Sequence, residues 1–154
     1  MDLTTPIPRS HDQKRRILQA QHDLLRDLVA RLREVAGRVG AEKAPSAALA
    51  EKVLRLRDAL EVHLREEESF LIPILERLDA WGPERLRILK EEHVHQRALI
   101  AALCRNLPER PPEELAVRAL GFADDLLADM ALEERELLDP SVLTDEMIRV
   151  DQDD

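Results

Sequence analysis

One helical hairpin is written twice along this chain, and that repeat restricts the fold more than any other feature. Gln21-His22, Arg26, Leu28, Val29, Ala30 and Leu32 recur as Glu92-His93, Arg97, Leu99, Ile100, Ala101 and Leu103. Between them, His63, Glu66, Glu67, Leu71 and Pro73 recur later as Met130, Glu133, Glu134, Leu138 and Pro140. In this alignment Met130 stands where the first half has His63.

Caps and apolar periodicity place four helices. The first starts near Ser10, which with Gln13 makes a capping box. It carries Leu18, Gln21, Leu25, Leu28, Leu32, Val35 and Val39, and stops around Gly37 to Gly40. Ser46 is expected to cap a second helix reaching about Asp79, with Leu49, Val53, Leu56, Leu60, His63, Glu67, Phe70 and Ile74 on its stripe. Gly82 caps a third, Pro83 being its first helical residue, with Leu86, Leu89, His93, Gln96, Ile100, Leu103 and Leu107 inward. A fourth carries Leu115, Ala119, Ala123, Leu126, Met130, Glu134 and Leu137 and ends near Pro140. Short connections make consecutive helices antiparallel. The expected fold is all-α, an up-down-up-down antiparallel four-helix bundle built from a duplicated helical hairpin. Residues 1–9 form an N-terminal arm, 10–140 the bundle, and 141–154 a short C-terminal turn and acidic tail.

Composition narrows the function classes. A net charge of −9, no Tyr, one Trp and two Phe leave neither the basic stripe nor the stacking platforms of a nucleic-acid binder. The single cysteine, Cys104, forms no internal disulfide and suits a reducing compartment. The N-terminal residues lack the apolar core of a signal peptide, and no uncharged apolar run is long enough to span a bilayer. The expected location is the cytoplasm, with no nucleic acid and no membrane as partner. No nucleophile–base pair, phosphate loop or dinucleotide fingerprint is present.

The chemistry lies where titratable residues share the apolar faces. His63 and Glu67 are one helical turn apart, among Leu56, Leu60, Phe70 and Ile74. An ionised glutamate facing a dry core costs several kcal/mol unless a cation or strong donors compensate. Glu134 repeats the situation, beside Leu126, Leu127, Leu137 and Leu138; His22 and His93 also sit among aliphatic residues. Imidazole with carboxylate suits iron, manganese or zinc, and di-iron bundles direct such residues inward in the same way. His11 and His95 fall off these faces and read as solvated.

The runs Gln21-His22-Asp23-Leu24-Leu25, His63-Leu64-Arg65-Glu66-Glu67 with Leu71-Ile72-Pro73, Glu92-His93 with Arg97, and Leu127-Ala128-Asp129-Met130-Ala131-Leu132-Glu133-Glu134 with Pro140 resemble the hemerythrin-like, HHE cation-binding family. The resemblance extends from about His11 to Pro140. It implies a non-haem metal pair between the helices, iron first, with zinc or manganese as alternatives. Its members carry or sense oxygen, sense iron, or act in stress responses. Carried over, His22 and His63 hold one metal, Glu67 and Glu134 bridge, and His93 serves the second metal. Met130 replaces a histidine of that second position, and Arg97 stands where hemerythrins proper have another.

A core histidine is more often a hydrogen-bonded filler than a ligand, and Met130 reads as a core filler. Three histidines in matching repeat positions beside inward glutamates favour the metal reading. Glu66 and Glu133, one step off the stripe, read either as outer supports of the ligands or as surface charges. Arg26 and Arg97 extend toward solvent or pair with acids on a neighbouring helix, and Arg97 alternatively reaches Glu134 in place of the second metal's charge. The leading expectation is a metal-binding protein for oxygen, redox or metal sensing or handling, with a depleted second position. Its partners are the metal ion and dioxygen or a small oxidant; a homo-oligomer is open. The alternatives are a metal-free structural or regulatory bundle and, third, an oxidase or peroxidase-like enzyme.

Overall fold

The computed structural model describes residues 10–78, 80–140 and 143. The arm at 1–9, Asp79 and the tail apart from Leu143 lie outside the described residues. Among the described residues four helices follow one another: α1 (His11–Gly40), α2 (Ser46–Leu75), α3 (Gly82–Cys104) and α4 (Pro112–Glu136), with a 3-10 turn at Leu107–Glu109 before α4. None of the helices is long and apolar enough to cross a membrane.

Local chemistry sets most helix ends. Ser10 and Gln13 make the reciprocal capping box: Gln13 N donates to Ser10 Oγ and Ser10 N to Gln13 Oε1. At α2 the expectation shifts by one residue, since extended Pro45 occupies the cap and Ser46 is already helical. α2 also stops at Leu75, short of the expected Asp79. Pro73 in its last turn has no N–H to bond and crowds the preceding turn. Trp81, not Gly82, caps α3. The guanidinium of Arg110 closes the other end of α3 by donating to the Ala102 and Arg105 carbonyls.

Two apolar clusters fill the bundle. The larger is built on Leu25, Val29, Leu32, Val53, Leu56, Leu60, Leu64, Ile100, Leu115, Leu126 and Met130. The smaller gathers Leu18, Leu71, Ile74, Leu75, Leu89, Leu137, Leu138 and Leu143. Along α1 and α3 the chain runs from the smaller cluster to the larger, through His22 and His93. Along α2 and α4 it runs back, through Glu67 and Glu133. That order is the up-down-up-down arrangement, and it leaves one polar layer sandwiched between two greasy ones. Leu143 packs in the smaller cluster, its N–H donating to the Asp139 carbonyl.

Gly82 is where α3 starts close against the end of α2. A Cβ there meets the Leu75 carbonyl, a backbone group that cannot rotate away. Gly82→Ala is therefore expected to destabilise the fold by about 1–3 kcal/mol through forced displacement of α3. Urea unfolding measures this, and a neutral result would show that the α2–α3 corner yields freely.

Candidate metal centre

Helical phase decides which side chains reach the polar layer. On α2, Glu67 follows Leu60 by seven residues, which at 100° per residue returns it to within about 20° of that leucine. On α4 the same step from Leu126 reaches Glu133, whereas Glu134 lies about 80° away. Glu133 is buried at 7% exposure and Glu134 is only part-buried. Glu133 thus takes the inward position expected of Glu134, and Glu134 the outer one. The buried pattern of α4 repeats that of α2 with Leu126, Met130, Glu133 and Leu137 in the places of Leu60, Leu64, Glu67 and Leu71. Met130 therefore falls at the register of Leu64, inside the larger apolar cluster. Asp129, not Met130, takes the register of His63, and it accepts a 3.0 Å hydrogen bond from the buried Gln96 amide.

His22, His63, Glu67 and Glu133 each bring one donor atom to a common point, all within 4.8 Å of one another. His22 Nε2 lies 3.1 Å from His63 Nε2 and 3.1 Å from Glu133 Oε1. His63 Nε2 and His93 Nε2 each lie 3.2 Å from the same oxygen, Glu67 Oε2. His93 thus borders the four-donor group through Glu67.

Each imidazole is held from outside through Nδ1. His22 Nδ1 donates to Glu134 at 2.9 Å, and Arg26 steadies that carboxylate at 2.6 Å. His63 Nδ1 donates to Gln21 Oε1 at 2.7 Å, while the Gln21 amide donates to Glu66 at 3.0 Å. His93 Nδ1 donates to Glu68 at 3.2 Å. Arg97 grips both Glu68 oxygens, at 2.8 and 2.7 Å, and also reaches Glu61. Arg97 accordingly does not compensate Glu134: α3 faces α2 at this level, and the cation on Glu134 is Arg26 from α1.

The outer bonds fix where the protons sit. With Nδ1 committed as donor, each neutral ring turns an Nε2 lone pair inward. The interior then holds three such lone pairs and two carboxylates with no donor among them, and Glu67 Oε1 is buried without any partner. Two Nε2 atoms at 3.1 Å repel unless something positive lies between them. Two donors each about 2.1 Å from one ion and at right angles to it are about 3 Å apart, so the spacing fits a shared cation. Two carboxylates also neutralise a divalent charge.

The interior carboxylates also attract protons: when His63 and His93 carry one on Nε2, that N–H donates to Glu67 Oε2. Burial acts to raise the Glu67 carboxyl, but hydrogen bonds and charge from His63 and His93 outweigh it and bring it to about 2. Arg97 is the main cause of Glu68 also titrating at about 2. Burial opposes protonation of His93, yet Glu67 and Glu68 raise it above its ordinary value. Glu134 is lowered: burial acts against this, and bonds from His22 and Arg26 prevail. Glu92 is raised by burial and then by the charges of Asp129 and Glu67, with His93 acting the other way.

Of the residues singled out in the sequence, His22, His63, Glu67 and His93 meet in the layer, and Glu66 and Glu134 support it from outside. Glu133 moves inward, and Arg97 acts through Glu68. Glu68 and Gln21 were missed as supports of the histidines. Glu68 carries no local signal, being the third of three consecutive glutamates, whereas the pairing of Gln21 with His22 hinted at a polar function. His95 is exposed as expected, but His11 is half-buried.

A bundle with one buried histidine–carboxylate layer, fixed from outside by acceptors, has the construction of a cation-binding protein. Residues 14–139 match the hemerythrin HHE cation binding domain, and the chain belongs to that family. None of the curated proteins and none of the solved structures matches it.

Proposed function

We propose that this protein holds one divalent metal ion, iron in its working form, through His22, His63, Glu67 and Glu133, and that it serves oxygen, redox or metal sensing or handling. The observation that carries this reading is the convergence of four buried donor atoms, two of them facing imidazole nitrogens, which offer only lone pairs while the imidazoles are neutral. Two imidazoles and two carboxylates suit iron and manganese, with zinc as competitor. Bound iron would supply one-electron chemistry and an affinity for dioxygen or a small oxidant.

The chain's own part is to orient and insulate. Glu134 with Arg26 and Gln21 with Glu66 keep His22 and His63 in the Nδ1–H tautomer and raise the basicity of Nε2. The apolar clusters above and below exclude water from the layer. His93, held by Glu68, keeps Glu67 Oε2 in place when its Nε2 carries a proton. A second ion would have to recruit Asp129, already engaged by Gln96, because Met130 is packed in the apolar cluster. A stoichiometry of one ion per chain follows.

Metal content after iron loading and desalting tests this. The unmodified chain and His95→Ala are expected to retain about one ion, and His63→Ala well under a tenth of that. Equal retention by His63→Ala and His95→Ala would show adventitious binding and favour a metal-free interaction bundle.

A further inference from the structure

The four donors are sealed from water. His22 and Glu67 are fully buried and His63 nearly so, so a cation reaches them only between helices. Glu133, the least sealed of them, lines a cavity of about 30 Å³ between α3 and α4, room for about one or two water molecules. These two helices pack least closely of the four adjacent pairs. Another cavity on that seam is lined by Leu103 and Phe122 and touches no member of the polar layer.

The lining suits a cation. Ile88 and Leu132 give apolar walls, while Glu92, Glu133 and Glu136 contribute three carboxylates against the one guanidinium of Arg85. An acidic lining between low-dielectric walls concentrates cations. Glu133 belongs to both compartments: the residue lines the cavity, and its Oε1 lies 3.1 Å from His22 Nε2. The volume is too small for an ion with a full hydration shell, so most water must be shed at the mouth, where the carboxylates replace it.

Resting on the metal reading above, we propose that this α3–α4 cavity is the port through which a divalent cation reaches and leaves the histidine–carboxylate layer, with Glu133 passing the ion inward. A port alters the barrier and not the end states, so obstructing it changes capture and release by one common factor and leaves the dissociation constant unchanged.

Zinc(II) is the probe, mixed rapidly with the full chain for capture and drawn off by a chromophoric chelator for release. Ile88 is partly exposed at 39%, so Ile88→Trp covers the mouth without disturbing the core. Both rates are expected to fall about tenfold at constant affinity. Ile88→Ala, which widens the mouth, is expected to raise both rates. Val94→Trp, on α3 but outside this cavity, is expected to change neither. Unchanged rates in both Ile88 variants at intact affinity overturn the port alone, as does equal slowing by Val94→Trp. Failure of the unmodified chain to bind zinc overturns the metal reading and the port together.

Discussion

Glu133→Ala is expected to abolish tight metal binding, while Glu134→Ala leaves a site weakened about 10- to 100-fold. The two residues are neighbours, identical in type, and separated by one 100° step of the helix. Glu133 Oε1 faces His22 Nε2 inside the layer, and Glu134 Oε1 accepts from His22 Nδ1 on the outside. Loss of the first removes a donor atom and half of the charge that balances a divalent ion. Loss of the second frees the imidazole to rotate and to change tautomer, which weakens a ligand without deleting it. Glu134→Gln tests the same logic more gently, because its carbonyl oxygen still accepts from Nδ1–H and retains most of the affinity. Competition titration with a chelator of known affinity ranks the variants. The reverse order, with Glu134→Ala the more damaging, would mean that Glu134 is the ligand, as the sequence repeat suggests.

Stability is expected to depend on pH in opposite directions with and without metal. In chelated protein, His93 titrates above its ordinary value because Glu67 and Glu68 outweigh its burial. Its contribution is complete below the unfolded value near 6.5 and is lost as pH rises through the raised folded value. Metal binding runs the other way, since the imidazoles must give up their protons to bind. With free metal at a hundredfold excess over its dissociation constant, the loaded protein gains about 2.7 kcal/mol, and that affinity grows from pH 6 to 8. The gap between loaded and chelated unfolding curves should therefore be narrow at pH 5 and wide at pH 8. A gap independent of pH would show that metal and protons do not compete for the same nitrogens. Further down the scale both forms weaken. Glu67 and Glu68, titrating at about 2 in the fold, contribute above the ordinary carboxylate value, and the contribution is lost as pH falls from there toward 2.

The sequence by itself determined the class of fold and most of the layer. Heptad-like spacing of leucines in four long segments, a capping box at Ser10 and proline near helix ends are local signals, and local hydrogen bonding enforces them. The repeat put His22 and His93 at matching depths, and the i, i+4 spacing of His63 and Glu67 fixed both on one face. None of that required knowing what lay opposite. The rotation of α4 was different. Glu133 and Glu134 both stand among leucines, and aligning the repeated Glu pairs put Glu134, one residue on from the buried Glu133, on the inward face. Only packing of α4 against α1, with Leu126, Met130 and Leu137 inward, turned Glu133 to the interior. The partners of the cations were equally hidden. Arg26 and Arg97 occupy equivalent places in the repeat, yet one reaches Glu134 on α4 and the other Glu68 and Glu61 on α2. A long side chain's partner depends on which helix stands beside it and at what height. Periodicity along one helix is written in the chain, but phase and proximity between helices arise only when the apolar faces close on each other.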